Sequence, residues 1–102
     1  MPYGNVITQL KTNLQTAYRQ AVDADAKLDQ LQQAGHGKFS KIFGDEQGFT
    51  TKSTRFLPYV QELAEAVTQL EQQADKALLE SVVKRLALLL STLVQFKEQS
   101  RQ

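Results

Sequence analysis

No cysteine, one histidine and two prolines occur among the 102 residues. The missing cysteines exclude disulfides, thiolate chemistry and cysteine-ligated zinc, and they fit a reducing, cytoplasmic setting. The single histidine, His36, lies between two glycines. A general base there would need a partner at matching spacing, and none stands nearby, so it reads as a solvent-exposed turn residue. A carboxylate-bridged metal site in a helical bundle needs a Glu-x-x-His pair, which is missing. Phosphate-binding loops, dinucleotide fingerprints and nucleophile elbows are missing too. The sequence therefore predicts no catalytic residue, no metal and no cofactor. The start, MPYGNVITQL, has neither the basic segment nor the apolar segment of a signal peptide. The most apolar run, Leu86 to Val94, covers nine residues between Lys84-Arg85 and Lys97, too few to span a bilayer. Excess charge is scarce as well: the net value is +1, so electrostatics alone do not call for nucleic acid or a membrane.

What remains is amphipathic helix. Hydrophobic residues make up 41% and charged residues 23%, the balance of a chain that can bury a core. Ile7, Leu10, Leu14, Ala17, Ala21, Ala24, Leu28 and Leu31 alternate three and four apart, which lines one face of a helix that wants a partner. Tyr18 and Val22 are expected to widen that face. Gly35 and Gly37 favour the left-handed conformation that closes a helix. A second stripe runs through Phe56, Val60, Leu63, Val67, Leu70 and Ala74. Ser53 or Thr54 is expected to cap it, and Pro58 falls in its first turn, where the missing N–H is harmless. A third stripe runs through Leu79, Val82, Leu86, Leu89, Leu93 and Phe96, broadened by Leu78, Leu90 and Val94. The second and third stripes are two positions out of phase, a rotation of about 200°. That predicts a break near Gln72 to Lys76, with Asp75 as the next cap. The expectation is one all-α domain over 1–102, an antiparallel three-helix bundle with helices at 5–34, 55–73 and 76–98. A short extra helical turn is expected at Phe39, Ile42 and Phe43.

The segment KFSKIFGDEQGFTTKSTRF, residues 38–56, holds four of the five phenylalanines. It also carries Lys38, Lys41, Lys52 and Arg55 against Asp45 and Glu46. Aromatics interleaved with cations can hold an acidic peptide with an apolar anchor, or stack nucleobases beside phosphate contacts. The candidate partner-binding residues are Lys38, Phe39, Lys41, Phe49, Lys52, Arg55 and Tyr59. The competing reading has Phe39, Ile42, Phe43 and Phe56 plugging the end of the bundle and the cations lining a solvated edge. Phe49 is expected to be partly exposed, and Asp25 and Asp29 to be solvated on a polar flank.

The order of helix, KFSKIF, turn, FLPYVQELAEAVTQL, break and LLESVVKRLALLLSTLVQF resembles the N-terminal part of the primosomal replication protein PriC family. The aromatic-x-x-aliphatic-aromatic element would be Phe39, Ile42 and Phe43. The placed Glu and Leu would be Glu62 and Leu70, and the Leu-rich helix would carry Leu86, Leu89 and Leu93. The resemblance implies a non-catalytic role in replication restart, with the replicative helicase and the single-stranded-DNA-binding protein as partners. Family members continue into a basic C-terminal region that resembles a DNA-binding arm, and this sequence does not show it. The expectation is therefore a fragment or a short relative, with little direct nucleic-acid binding. Two further readings stay open. The alanine-centred stripe of the first helix could seal a homodimer. Alternatively, an adaptor could cradle an amphipathic helix on Leu78, Leu90 and Val94.

Overall fold

The computed structural model describes residues 4–33, 35, 42–43 and 48–99. Among these, three helices form: α1 (Gly4–Gln33), α2 (Leu57–Gln72) and α3 (Lys76–Gln99). Each packs on the other two. Lys11 pairs with Glu71, and Asp25 meets the start of α2, so α1 and α2 run antiparallel. Glu62 pairs with Arg85, and Phe56 meets Phe96, so α2 and α3 are antiparallel as well. The fold is the expected all-α three-helix bundle.

The stripes read from the sequence form the core. Ile7, Leu10, Leu14, Ala17, Ala21, Ala24 and Leu28 are buried, as are Val60, Leu63, Val67 and Leu70 on α2 and Val82, Leu86, Leu89 and Leu93 on α3. Full burial of one such leucine contributes about 1.5–3 kcal/mol. Because the alanine-centred face of α1 is used up within the chain, it does not offer a homodimer seam. The break also falls where the phase slip put it. The Gln73 N–H closes onto the Gln69 carbonyl at 2.9 Å, and Asp75 Oδ1 accepts the N–H groups of Ala77 and Leu78. Gly35, at φ +76°, donates its N–H to the Gln32 carbonyl just past α1. Of the extra helical turn expected at Phe39, Ile42 and Phe43, Ile42 and Phe43 lie in a bend outside any helix, while Phe39 and the expected role of Gly37 lie outside the described residues.

Several expectations are corrected. Tyr18 and Val22 do not widen the core face; they stand 52% and 43% exposed, on the flank of α1. Ala74 falls beyond the end of α2 and is exposed. Neither Ser53 nor Thr54 caps α2. Its N-cap position is Phe56, which has no capping side chain, and the cap comes from another helix. Asp25 of α1 accepts the Phe56 N–H at 2.6 Å and the Leu57 N–H at 3.0 Å. A carboxylate suits a helix N-terminus both as an acceptor and as a negative charge. Asp25 is thus a tertiary clasp where a solvated residue was expected. Asp29 also has a partner, as described below.

Candidate partner-binding site

The segment before α2 is fastened by three polar anchors. The first is Glu62 on α2. Its carboxylate accepts the N–H groups of Thr50 at 3.1 Å and Thr51 at 2.6 Å, and the Arg85 guanidinium of α3 donates to it at 2.7 Å. Burial pulls the Glu62 pKa up, but the hydrogen bonds from Thr51, Thr50 and Arg85 outweigh it and hold the carboxyl below its ordinary value. The second anchor is Tyr59. Its hydroxyl accepts the Ser53 N–H at 2.9 Å and donates to the Ser53 carbonyl at 3.1 Å. The same carbonyl accepts the Ile42 N–H, which ties the two sides of the loop together. The third is Arg55, whose Nε–H donates to Asp29 at 2.8 Å while a terminal N–H donates to Gln32. This cation therefore fixes the loop to the end of α1.

These anchors turn the aromatic residues inward. Phe43 stacks on Phe49 with ring centroids 4.8 Å apart, and both rings meet Tyr59 edge-on at 4.9 and 5.0 Å. The Arg85 guanidinium lies 5.9 Å from the Phe49 ring centre, and a Cβ on Gly48, at φ +91°, would meet the Arg85 stem at 3.7 Å. Phe49 is 5% exposed and Tyr59 is wholly enclosed. The expected exposure of Phe49 is overturned: with Thr50 and Thr51 pinned to Glu62, the preceding side chain can only enter the core. Neither Phe49 nor Tyr59 presents a ring to a partner. Arg55 is half-buried against α1, and Lys52 is exposed. Lys38, Phe39 and Lys41 lie outside the described residues.

A surface hollow lies elsewhere. Between α1 and α3, a groove of about 260 Å³ has Ala24, Leu93 and Phe96 as its apolar wall. Gln20, Asp23, Lys27 and Lys97 complete its lining. Gln20 Oε1 is buried there without a hydrogen-bond partner among the described residues. A second hollow of about 300 Å³, which Phe96 also lines, reaches Leu28, Ile42, Thr54 and Phe56 at the loop. Of the positions expected for an adaptor groove, Leu90 and Val94 lie one turn apart on α3, but Leu78 does not join them. Leu78 borders a separate hollow beside Gln69, Gln72 and Gln73 at the α2–α3 turn. Leu90 is twelve residues on, about 120° around α3. Sequence reasoning passed over Lys27 and Lys97, whose only signal was a position flanking a stripe.

Among the described residues, no group of three or more His, Cys, Asp or Glu side chains is placed to hold a metal ion. No helix among them is long and apolar enough to cross a membrane. No family model, no curated protein and no solved structure matches the chain.

Proposed function

We propose that the chain is a non-catalytic adaptor of replication restart in the cytoplasm. It would bind the acidic tail of the single-stranded-DNA-binding protein, the replicative helicase, or both, so that helicase can be reloaded at a stalled fork. The PriC-like order of KFSKIF, FLPYVQELAEAVTQL and the Leu-rich third helix supplies the biological setting. The observation that carries the binding mode is the α1–α3 groove. An apolar anchor of a partner can lie against Leu93 and Phe96 while Lys27 and Lys97 face its carboxylates. The unpartnered Gln20 Oε1 favours a peptide ligand, because a backbone N–H entering the groove would satisfy it.

The loop then serves as a scaffold. Its aromatic cluster holds the end of the bundle together, and its anchors set the position of Phe96 through Phe56, whose ring centre lies 5.6 Å from that of Phe96. Isothermal titration of the chain with the acidic tail peptide tests the reading. The account expects binding that weakens as salt is raised and falls at least fivefold in Lys27→Glu. Absence of binding at low salt, or binding indifferent to Lys27→Glu, would reject it.

A further inference from the structure

We propose that the α1–α3 groove takes a tryptophan side chain of its partner, with the indole N–H donated to Gln20 Oε1. This rests on the reading of that groove as the partner site, and it names the residue the partner inserts. The groove encloses about 260 Å³, below the usual size of a pocket for a drug-like ligand, and suits one large side chain. Its apolar wall is Ala24, Leu93 and Phe96, with half-buried Lys27 and exposed Asp23 beside it. Gln20 Oε1 exposes less than 1 Å² and has no hydrogen-bond partner among the described residues. A buried acceptor without a donor is unfavourable, so an inserted N–H is rewarded. The last torsion of a glutamine side chain is broad, which lets the amide turn to meet it. A main chain reaches this depth only by sinking below the rim, whereas an inserted side chain reaches it directly.

Side-chain chemistry then selects the anchor. The orphaned atom is an acceptor, so the groove asks for a donor and offers an apolar wall for everything else. Tryptophan is the neutral side chain that donates one N–H and brings no acceptor of its own. Asparagine and glutamine would bring a carbonyl, tyrosine a second use for its oxygen, and histidine a second ring nitrogen. Lysine and arginine only donate, but their charge would lose its water against Ala24, Leu93 and Phe96, next to the Lys27 ammonium. Asp23 is exposed and would return little of that cost. Phenylalanine or leucine fills the space and leaves Gln20 Oε1 unpaired. An indole can also pack on the Phe96 ring, while Lys27 faces carboxylates that flank the tryptophan.

The chain itself has no tryptophan, so indole fluorescence reads the ligand alone. The probes are short acetylated and amidated peptides with acidic residues around one anchor: tryptophan, 1-methyltryptophan, phenylalanine or arginine. The first two are titrated directly with the full chain, and the others compete against the tryptophan peptide. Tryptophan should bind about three- to tenfold more tightly than 1-methyltryptophan, the range of one neutral hydrogen bond, and more tightly than phenylalanine or arginine. In Gln20→Leu the ratio of tryptophan to 1-methyltryptophan should fall to about one. That variant removes an unpaired buried acceptor, so its melting temperature should be no lower than the parent's. The proposal is overturned if the methyl group changes nothing in the parent, if its effect persists in Gln20→Leu, or if phenylalanine or arginine binds as tightly. Should the peptides bind in a way that Lys27→Glu weakens but show no preference for the N–H, the groove reading stands and the tryptophan falls. If no peptide binds, both fall.

Discussion

Replacing Glu62 by Gln tests the loop anchor with little change of volume. The carboxylate accepts from Thr50, Thr51 and Arg85, whereas an amide keeps one acceptor oxygen and turns an NH2 group toward donors. At least one of the three donors must lose its partner. Breaking a fully buried ion pair costs about 3–5 kcal/mol. Here the side chains of Glu62 and Arg85 keep 14% and 11% of their exposure, so some solvation remains. A loss of about 2–3 kcal/mol follows, in the range for a hydrogen bond to a charged group. For a domain of this size each kcal/mol lowers Tm by about 4–8 °C, so the melting point should fall by roughly 10–20 °C.

The pH dependence carries a sign. The Glu62 pKa is depressed in the folded chain, so its contribution is present above the unfolded value and is lost as pH falls through the folded value. Urea unfolding of parent and variant should therefore differ most at neutral pH and converge in acid, below the ordinary glutamate pKa. A loss under about 0.5 kcal/mol at neutral pH, typical of an exposed pair, or a gap unchanged in acid, would refute the anchor.

Three further outcomes follow from the same contacts. Phe43→Ala and Phe49→Ala should each cost about 3–5 kcal/mol in chemical denaturation, since both rings are core; a small loss at Phe49 alone would restore its role as a surface residue. Asp25→Ala should cost about 1–2 kcal/mol through loss of the α2 cap, and Asp25→Asn less, by thermal melting. Tyr59→Phe should remove about 1–2 kcal/mol and speed amide exchange at Ser53, whose N–H donates to the phenolic oxygen.

The helices were legible because burial follows a period of three and four, and because a two-residue slip has a single geometric meaning. Leu63, Leu70 and Leu89 fall inside for that reason, and the Asp75 cap announces itself locally. The α2 cap was not legible. Asp25 lies thirty-one residues before Phe56, and only the antiparallel docking of α1 brings its carboxylate to those N–H groups. The fate of Phe49 was hidden for a similar reason. Its neighbours in sequence promise a flexible surface loop, and it is Glu62, eleven and twelve residues on, that binds the Thr50 and Thr51 backbone and reverses that expectation. The groove was the least legible feature, since Lys27 and Lys97 come together only through the parallel pairing of α1 with α3.

The adaptor account rests on where a partner lands. An NMR titration of the labelled chain with the acidic tail of the single-stranded-DNA-binding protein, and with helicase fragments, measures that position residue by residue. The account predicts shifts concentrated at residues 20–27 and 93–97, with Phe49 and Tyr59 changing only through small secondary effects. Shifts centred on the loop, or none with either partner in a folded sample, would contradict it.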